Sequence, residues 1–137
     1  MKYLLHTNVI SEIRKPDCNP AVTAFIDGIP REDLFLCTMS IGEIAYGTER
    51  LAEGKKKKEL SHWLNRQLPA EFENRIIDLD TGCMLEWGRL CAGAGRTLPF
   101  KDSIIAAAAL AHRLTILTRN TGDFEGIEGL KFYNPWS

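Results

Sequence analysis

Short apolar runs alternate with longer segments of helical periodicity along the whole chain, and this alternation most constrains the fold. The predicted strands are residues 3–6, 34–37, 75–79, 115–117 and 131–133. The predicted helices are residues 8–14, 19–27, 40–51, 56–67, 81–92 and 99–113. Strands separated by helices form βαβ units, so we expect an α/β fold with three α/β/α layers around a five-stranded parallel sheet. Since no repeat or linker interrupts the pattern, we expect a single domain over residues 1–137.

The charge balance and the apolar runs argue against two broad classes of protein. With 17 Lys and Arg against 18 Asp and Glu, the net charge is −1, so the chain lacks the global positive field of many nucleic-acid-binding proteins. We interpret the lysine run 55–58 as the solvated start of a helix. The longest apolar run, residues 104–111, is far shorter than the roughly 20 residues of a membrane-spanning helix. His6, Thr7 and Asn8 interrupt the apolar N-terminus, so we expect a cytoplasmic chain.

Several familiar motifs are absent from the sequence. No G-x-G-x-x-G follows the first predicted strand, and no G-x-x-x-x-G-K-[ST] or G-x-S-x-G occurs. The four cysteines form no C-x-x-C pair and the three histidines are widely spread, which argues against a zinc site. We expect four reduced thiols, with Cys37 and Cys83 in the core.

Three acidic residues remain as candidates for chemistry: Glu43, Asp102 and Asp123. Each also has an ordinary structural interpretation. Glu43 completes a capping box with Ser40, Asp102 favours a helix dipole, and Asp123 belongs to an Asx turn. Glu43 and Asp123 closely follow predicted strands, and Asp102 begins the helix before the fourth strand. In parallel sheets, sites form at the carboxyl ends of the strands. Clustered carboxylates without softer ligands favour Mg²⁺ or Mn²⁺, so the set indicates metal-dependent phosphodiester hydrolysis.

Five segments carry a resemblance to a known family. Residues 3–12 read Tyr-Leu-Leu-His-Thr-Asn-Val-Ile-Ser-Glu, and residues 40–47 read Ser-Ile-Gly-Glu-Ile-Ala-Tyr-Gly. Residues 98–107 contain Pro-Phe-Lys-Asp, residues 117–124 contain Thr-Arg-Asn-Thr-Gly-Asp, and residues 133–136 read Tyr-Asn-Pro-Trp. In order and spacing these segments resemble the motifs of PIN-domain toxins of the VapC type, over nearly the whole chain.

The resemblance implies a Mg²⁺-dependent ribonuclease that cleaves structured RNA, with Mn²⁺ as a possible substitute. It also implies the toxin of a toxin–antitoxin pair, inhibited by a VapB-like antitoxin and commonly dimeric, with the tryptophans available for apolar contacts. Glu43, Asp102 and Asp123 match the family's metal-site acids. Thr7 matches a hydroxyl residue that lines the site, and Asn120 matches a polar residue beside it.

Two questions stay open within the resemblance: the role of Arg119 and the identity of the proton acceptor. Arg119 is a candidate RNA-phosphate contact, although a solvated arginine at a strand end has the same sequence context. The proton acceptor for the attacking water is Glu43 or Asp102, and the sequence does not decide between them.

We expect an antitoxin to insert a basic side chain, preferably Arg, among the three acids.

The chain departs from the family pattern at His6, where the family has its first acid. A lone neutral imidazole is a poor Mg²⁺ ligand, so we expect impaired activity. Asp and His codons differ by one base, which favours an introduced or escape replacement that inactivates a toxin. The alternative is a natural histidine in a weakened enzyme, or in one that uses another metal.

Two other functional classes compete with the ribonuclease interpretation. The first is a catalytically inactive PIN-like module that binds RNA or a protein partner, and His6 is the feature that favours it. The second is a receiver-like phospho-acceptor domain, with Asp78 or Asp80 as the acceptor. The first strand offers no acid pair for such a receiver, so we disfavour it.

Overall fold

The computed structural model describes residues 1–137 and consists of a central sheet with helices on both of its faces. The strands are β1 (Tyr3–Leu5), β2 (Leu34–Cys37), β3 (Ile76–Ile77), β4 (Thr115–Leu117) and β5 (Phe132–Tyr133). The helices are α1 (Thr7–Arg14), α2 (Pro20–Asp27), α3 (Thr38–Glu49), α4 (Lys55–His62), α5 (Leu68–Glu71), α6 (Thr81–Gly93) and α7 (Phe100–His112). A π-helical segment, Trp63–Gln67, joins α4 to α5, and one 3₁₀ turn spans Thr121–Phe124.

All five strands are parallel, as the sequence predicts. Their order in the sheet is β3-β2-β1-β4-β5. Leu4 in β1 lies opposite Phe35 on one side and Ile116 on the other. From β1 the chain adds β2 and β3 on one side and later β4 and β5 on the other. The order of the strands therefore reverses at β1, and ligand sites in such sheets lie at the carboxyl ends beside this reversal.

Alternating residues of the strands enter two separate cores. Leu4, Cys37 and Ile116 pack under α6 and α7, while their neighbours Leu5 and Leu117 pack under α1, α2 and the α4–α5 region. Four consecutive buried alanines in α7, Ala106–Ala109, let this helix lie close to the sheet. The central strands β1, β2 and β4 are largely buried on both faces, which explains why they read as continuous apolar runs.

Several predicted boundaries are wrong by a few residues, and one of these errors has a consequence. Helix α3 begins at Thr38 directly after β2, instead of at the predicted Ser40. Its N-cap is Cys37, without a side-chain cap hydrogen bond, and Ser40 lies buried within the first turn. The capping-box interpretation of Ser40 and Glu43 is therefore wrong, and both side chains are free for other contacts.

The chain features around the sheet agree in part with the sequence. Asn19 caps α2 through its side-chain oxygen, with Pro20 as the first helical residue, as predicted. All four cysteines are free, and Cys37 and Cys83 are buried. All three tryptophans are partly buried against their own chain, and their availability for apolar contacts stays a prediction. The most exposed large apolar side chains after Met1 are Leu85, Phe100 and Tyr46. None of the helices has the length and apolarity needed to cross a membrane.

Candidate active site

His6 occupies the strand-order reversal, immediately after β1 and beside the end of β4. Its side chain is nearly buried, at 5% exposure, and the edge of the Phe124 ring packs against it at 5.4 Å between ring centroids. Nδ1 lies 2.8 Å from the Thr118 hydroxyl oxygen, and Nε2 lies 3.0 Å from Oδ1 of Asp102. Because a carboxylate can only accept a hydrogen bond, Nε2 carries the hydrogen and donates the hydrogen bond to Asp102. Both ring nitrogens are therefore already hydrogen-bonded within the chain.

Asp102 and Asp123 form a carboxylate pair with opposite electrostatic environments. The hydrogen bond from His6 holds the pKa of Asp102 below its ordinary value, against a partial burial that would raise it. Burial and then the neighbouring Asp102 charge raise the pKa of Asp123. Asp102 lies in the first turn of α7, and Asp123 lies in the 3₁₀ turn after β4. Two carboxylates this close favour either a shared proton or a bound cation.

Glu43 lies on α3 and belongs to a second hydrogen-bonded group at the same edge of the sheet. The Thr7 hydroxyl oxygen, at the start of α1, lies 2.9 Å from Oε1 of Glu43 and 2.8 Å from the Ser40 hydroxyl. All three side chains are contributed by helices that follow directly after β1 and β2. Thr7 therefore orients the Glu43 carboxylate, and its role in lining a metal site stays a prediction.

The two remaining predicted site residues lie at the end of β4. The Asn120 backbone N–H donates to the Thr118 hydroxyl at 3.0 Å, and the Asn120 carbonyl accepts from the Asp123 N–H. Arg119 is exposed, and its guanidinium carbon lies 5.3 Å from the centroid of the Trp136 ring. Asn120 thus shapes the turn that carries Asp123, while Arg119 packs on an aromatic ring at the surface.

The acidic side chains have the donor chemistry that a hard divalent cation prefers, whereas His6 does not. Carboxylate oxygens are the usual Mg²⁺ ligands, and the raised pKa of Asp123 marks a charge that a cation would neutralise. Both nitrogens of His6 are engaged, and imidazole is a soft ligand for this ion. No three His, Cys, Asp or Glu side chains in the chain are grouped closely enough to hold one metal ion. The assignment of Glu43, Asp102 and Asp123 to a metal site stays a prediction.

Sequence reasoning missed three residues that contribute to this region. The hydroxyl of Thr118, the residue directly after β4, contacts both His6 and the Asn120 backbone. Arg96 donates to the carbonyls of Asp123 and Glu125 and fixes the turn between them. The Asn8 side chain accepts from the Arg119 backbone, and its buried Nδ2 has no partner. Asn8 could have been selected from the sequence, because it directly follows Thr7. The contacts of Thr118 and Arg96 depend on the tertiary structure.

The parallel sheet and the acidic residues beside its reversal of strand order together indicate the class of this protein. The PIN-domain family model matches residues 3–130. The chain therefore belongs to the PIN-domain family, as the sequence resemblance predicts. The match includes four of the five motif segments and leaves out the C-terminal Tyr-Asn-Pro-Trp segment.

Curated relatives place the chain beside named toxins. It is 38% identical over 136 residues to the plasmid stability protein StbB of Pseudomonas syringae pv. tomato, with 97% of each chain covered. It is 35% identical over 136 residues to the toxin FitB of Neisseria gonorrhoeae, again with 97% of each covered. A VapC ribonuclease of Sinorhizobium fredii, Y4jK, is 32% identical over 136 residues, covering 97% of this chain and 96% of the relative.

A solved complex has nearly the same fold. The structure of FitAB bound to an IR36 DNA fragment contains a chain that superposes with a TM-score of 0.90 and 33% identity. The superposition covers 98% of this chain and 96% of that one. The fold of this chain is therefore nearly that of a chain in the FitAB–DNA complex.

Proposed function

We propose that this chain is the toxin of a type II toxin–antitoxin pair of the VapBC and FitAB kind, with a ribonuclease site impaired by His6. Family membership and the toxin relatives support the first part of the proposal. The observation that carries the second part is the 3.0 Å hydrogen bond between His6 Nε2 and Asp102. It engages one of the candidate metal-ligand oxygens at the point where the family has an acid.

Glu43, Asp102 and Asp123 are the residues that would hold a divalent ion, with Mg²⁺ preferred and Mn²⁺ as a substitute. When bound, such an ion neutralises charge on a phosphodiester and lowers the pKa of water for hydrolysis. The chain's own contributions are positional. Thr7 orients Glu43, and the turn at Asn120 presents Asp123. Glu43 and Asp102 both remain candidates for the group that accepts the water's proton.

His6 impairs this arrangement in two ways. It supplies no anionic oxygen, so the site has one negative charge fewer than the family pattern. It also donates a hydrogen bond to Asp102 and lowers that residue's pKa, which reduces the basicity of a carboxylate needed as a ligand or base. Each lost ligand oxygen costs several kcal/mol of transition-state stabilisation, and about 1.4 kcal/mol is a tenfold change in rate.

We further propose that a VapB-like or FitA-like antitoxin inhibits the chain by inserting a basic side chain beside Asp102 and Asp123. An arginine would pair with two carboxylates through its planar fork, and it would relieve the repulsion that raises the pKa of Asp123. Because it would act on RNA and be inhibited by such an antitoxin, we propose that the chain functions in the cytoplasm. The exposed apolar side chains of Tyr46, Leu85 and Phe100 are the candidate contacts of a homodimer.

The test of the proposal is the revertant His6→Asp, with His6→Asn as the matched neutral control. Both proteins are assayed with the parent chain on the same structured RNA, with Mg²⁺ and with chelator. We expect Mg²⁺-dependent cleavage to rise by about 100-fold or more in His6→Asp alone, because only Asp adds an anionic ligand. Mg²⁺ should also raise the thermal midpoint of His6→Asp more than that of the parent. Equal cleavage by all three proteins would show that position 6 is not a ligand position.

A second candidate function is a non-catalytic module that retains RNA or antitoxin binding. The observation that favours it is that both nitrogens of His6 are hydrogen-bonded inside the chain. This function predicts that His6→Asp stays inactive with Mg²⁺ and that its expression is harmless to cells that lack the antitoxin. Toxicity restored by His6→Asp and lost again in His6→Asp/Asp123→Asn would exclude it.

A further inference from the structure

A groove leads away from Glu43 across the surface between α1, α3 and α4. It has a volume of about 300 Å³, and Thr7, Glu43, Lys56 and Trp63 are among the residues that line it. Arg14 and Lys15 stand on its α1 side. The groove is thus continuous with the candidate active site and extends beyond the residues that the proposed chemistry uses.

The rim of the groove carries cations that the chain does not neutralise. Lys56 and Arg14 are exposed, and neither forms an ion pair with a carboxylate. Their neighbours differ, because Lys55 pairs with Glu59 at 3.8 Å and Lys57 pairs with Glu53 at 2.8 Å. Of the four lysines of this run, Lys55 and Lys57 are paired, Lys58 is unpaired and lies outside the groove, and Lys56 is unpaired and lines it.

The floor of the groove is apolar and includes an aromatic ring. Ile44, Leu51 and Leu60 are partly buried along it. Trp63 begins the π-helical segment, and the Arg14 guanidinium carbon lies 5.8 Å from its ring centroid. Irregular π turns of this kind often occur at functional sites. Gly47 adds no side chain, and a Cβ built there meets no atom within 4 Å, so the groove stays open at this point.

We propose that this groove binds the single-stranded RNA segment that adjoins the cleaved phosphodiester, an inference that rests on the proposed ribonuclease function. Unpaired cations beside an apolar floor and an aromatic ring match the alternation of phosphates and bases in a single strand. Lys56 and Arg14 contact phosphates, and the Trp63 face and its apolar neighbours receive a base. A peptide segment of an antitoxin would need its own acidic residues to satisfy the same two cations, which makes RNA the better match.

The experiment measures binding of a fluorescein-labelled, mixed-sequence decaribonucleotide by anisotropy at several salt concentrations. The variants are Lys56→Ala, with Lys55→Ala as the matched control from the same helical turn. A second pair is Gly47→Leu, which fills the groove, and Gly88→Leu, which makes the same change in open space on α6. The parent chain serves as the reference, since cleavage by it is expected to be slow, and thermal midpoints verify that all variants fold.

We expect Lys56→Ala to weaken binding about 3- to 10-fold and to reduce the salt slope by about 0.7, as for one lost phosphate contact on a single strand. Gly47→Leu should weaken binding about 10-fold or more, because stacking of one base is worth roughly that factor. Lys55→Ala and Gly88→Leu should change binding less than about twofold, since these positions contact no part of the groove.

Three outcomes would overturn the inference, and they are distinguishable from one another. Equal weakening by Lys56→Ala and Lys55→Ala would show diffuse charge attraction instead of a bound strand. Full RNA binding by Gly47→Leu, together with loss of antitoxin binding, would assign the groove to the antitoxin. If His6→Asp cleaves RNA and adding Gly47→Leu does not change that cleavage, the groove proposal alone is refuted. If neither RNA binding nor cleavage is found, the proposed function is refuted.

Discussion

The carboxyl edge of the sheet has two halves that differ in how completely their polar groups are satisfied. In the half around β4, His6 bonds through both ring nitrogens to Thr118 and Asp102, beneath the ring of Phe124. In the half around β2, Glu43 contacts Thr7 and opens onto the groove. The first half is closed by internal hydrogen bonds, and the second half is accessible from outside.

This difference shows how one side chain can change a site without changing the fold. His6 contributes a buried, hydrogen-bonded ring to the closed half, so the histidine is well accommodated as a structural residue. The same bonds engage Oδ1 of Asp102, one of the proposed ligand oxygens. In the open half, the contact between Thr7 and Glu43 does not depend on His6.

The largest expected effect tests whether the open half is catalytic. In the His6→Asp background, Glu43→Gln should lower Mg²⁺-dependent RNA cleavage by about 1000-fold, because the amide cannot replace an anionic ligand or base. Single-turnover cleavage of one RNA substrate measures the change. Glu49→Gln, on an exposed turn of the same helix, serves as the control and should retain activity. Comparable activity in both variants would make Glu43 a structural residue.

The next effect concerns the packing of the closed half. Phe124 is fully buried, and Phe124→Ala should destabilise the protein by about 3–5 kcal/mol, through lost apolar burial and a cavity beside His6. Urea unfolding measures the change, with Phe100→Ala as the exposed control. If the two variants were equally stable, the closed half would not depend on its aromatic cover.

A smaller effect tests the hydrogen bonds of the open half. Thr7→Val keeps the shape of the side chain and removes its hydroxyl, so it should cost about 1 kcal/mol of stability. The same change in the His6→Asp background should also lower the cleavage rate, because Glu43 loses its orienting partner. Thr7→Ser should restore both properties. A Thr7→Val protein with the parent's urea midpoint would show that these contacts contribute nothing.

The smallest effects have opposite signs for the two aspartates of the closed half, measured with chelator present. The pKa of Asp102 is lowered by folding, so its stabilising contribution is complete above the ordinary aspartate value of about 3.9 and is lost as the pH falls. The pKa of Asp123 is raised, so its ionised form destabilises the fold once the pH exceeds the raised value. Near neutral pH, Asp102→Asn should lower the thermal midpoint and Asp123→Asn should raise it, each by about 1–3 °C.

Both differences should disappear at acidic pH, where the parent carboxyls are protonated like the amides that replace them. A pH series of melting curves for the parent and the two variants measures this trend. Equal signs for the two variants would mean that the hydrogen bond from His6 does not stabilise the charged Asp102.

The fold could be predicted from the sequence because apolar runs and helical periodicity are local patterns. The strands 34–37 and 115–117 were placed correctly, since buried parallel strands are apolar on both faces. The start of α3 was misplaced because Ser40 and Glu43 form a sequence pattern typical of a cap. The structure instead buries Ser40 against Thr7, a contact between residues distant in sequence that no local pattern encodes.

The candidate site was predictable as a set of residues and not as a set of contacts. Placement after strands marked Asp102, Asp123 and Glu43, because parallel strands end at a common edge. The bonds from His6 to Thr118 and Asp102 span 112 and 96 positions of the chain. Such pairings are decided by the strand order, so the sequence alone could not indicate that His6 would bond to a predicted metal ligand.

The position of β1 at the centre of the sheet also has a consequence in time. β1 is synthesised first, yet its partner β4 includes Thr115–Leu117, close to the end of the chain. During translation the central strand therefore lacks one of its neighbours until most of the protein has been made. Asp123 emerges later still, so the carboxyl edge is incomplete until that residue has been synthesised. A ribosome that carries a partial chain would thus hold no assembled site, and an antitoxin would have time to meet the toxin as it folds.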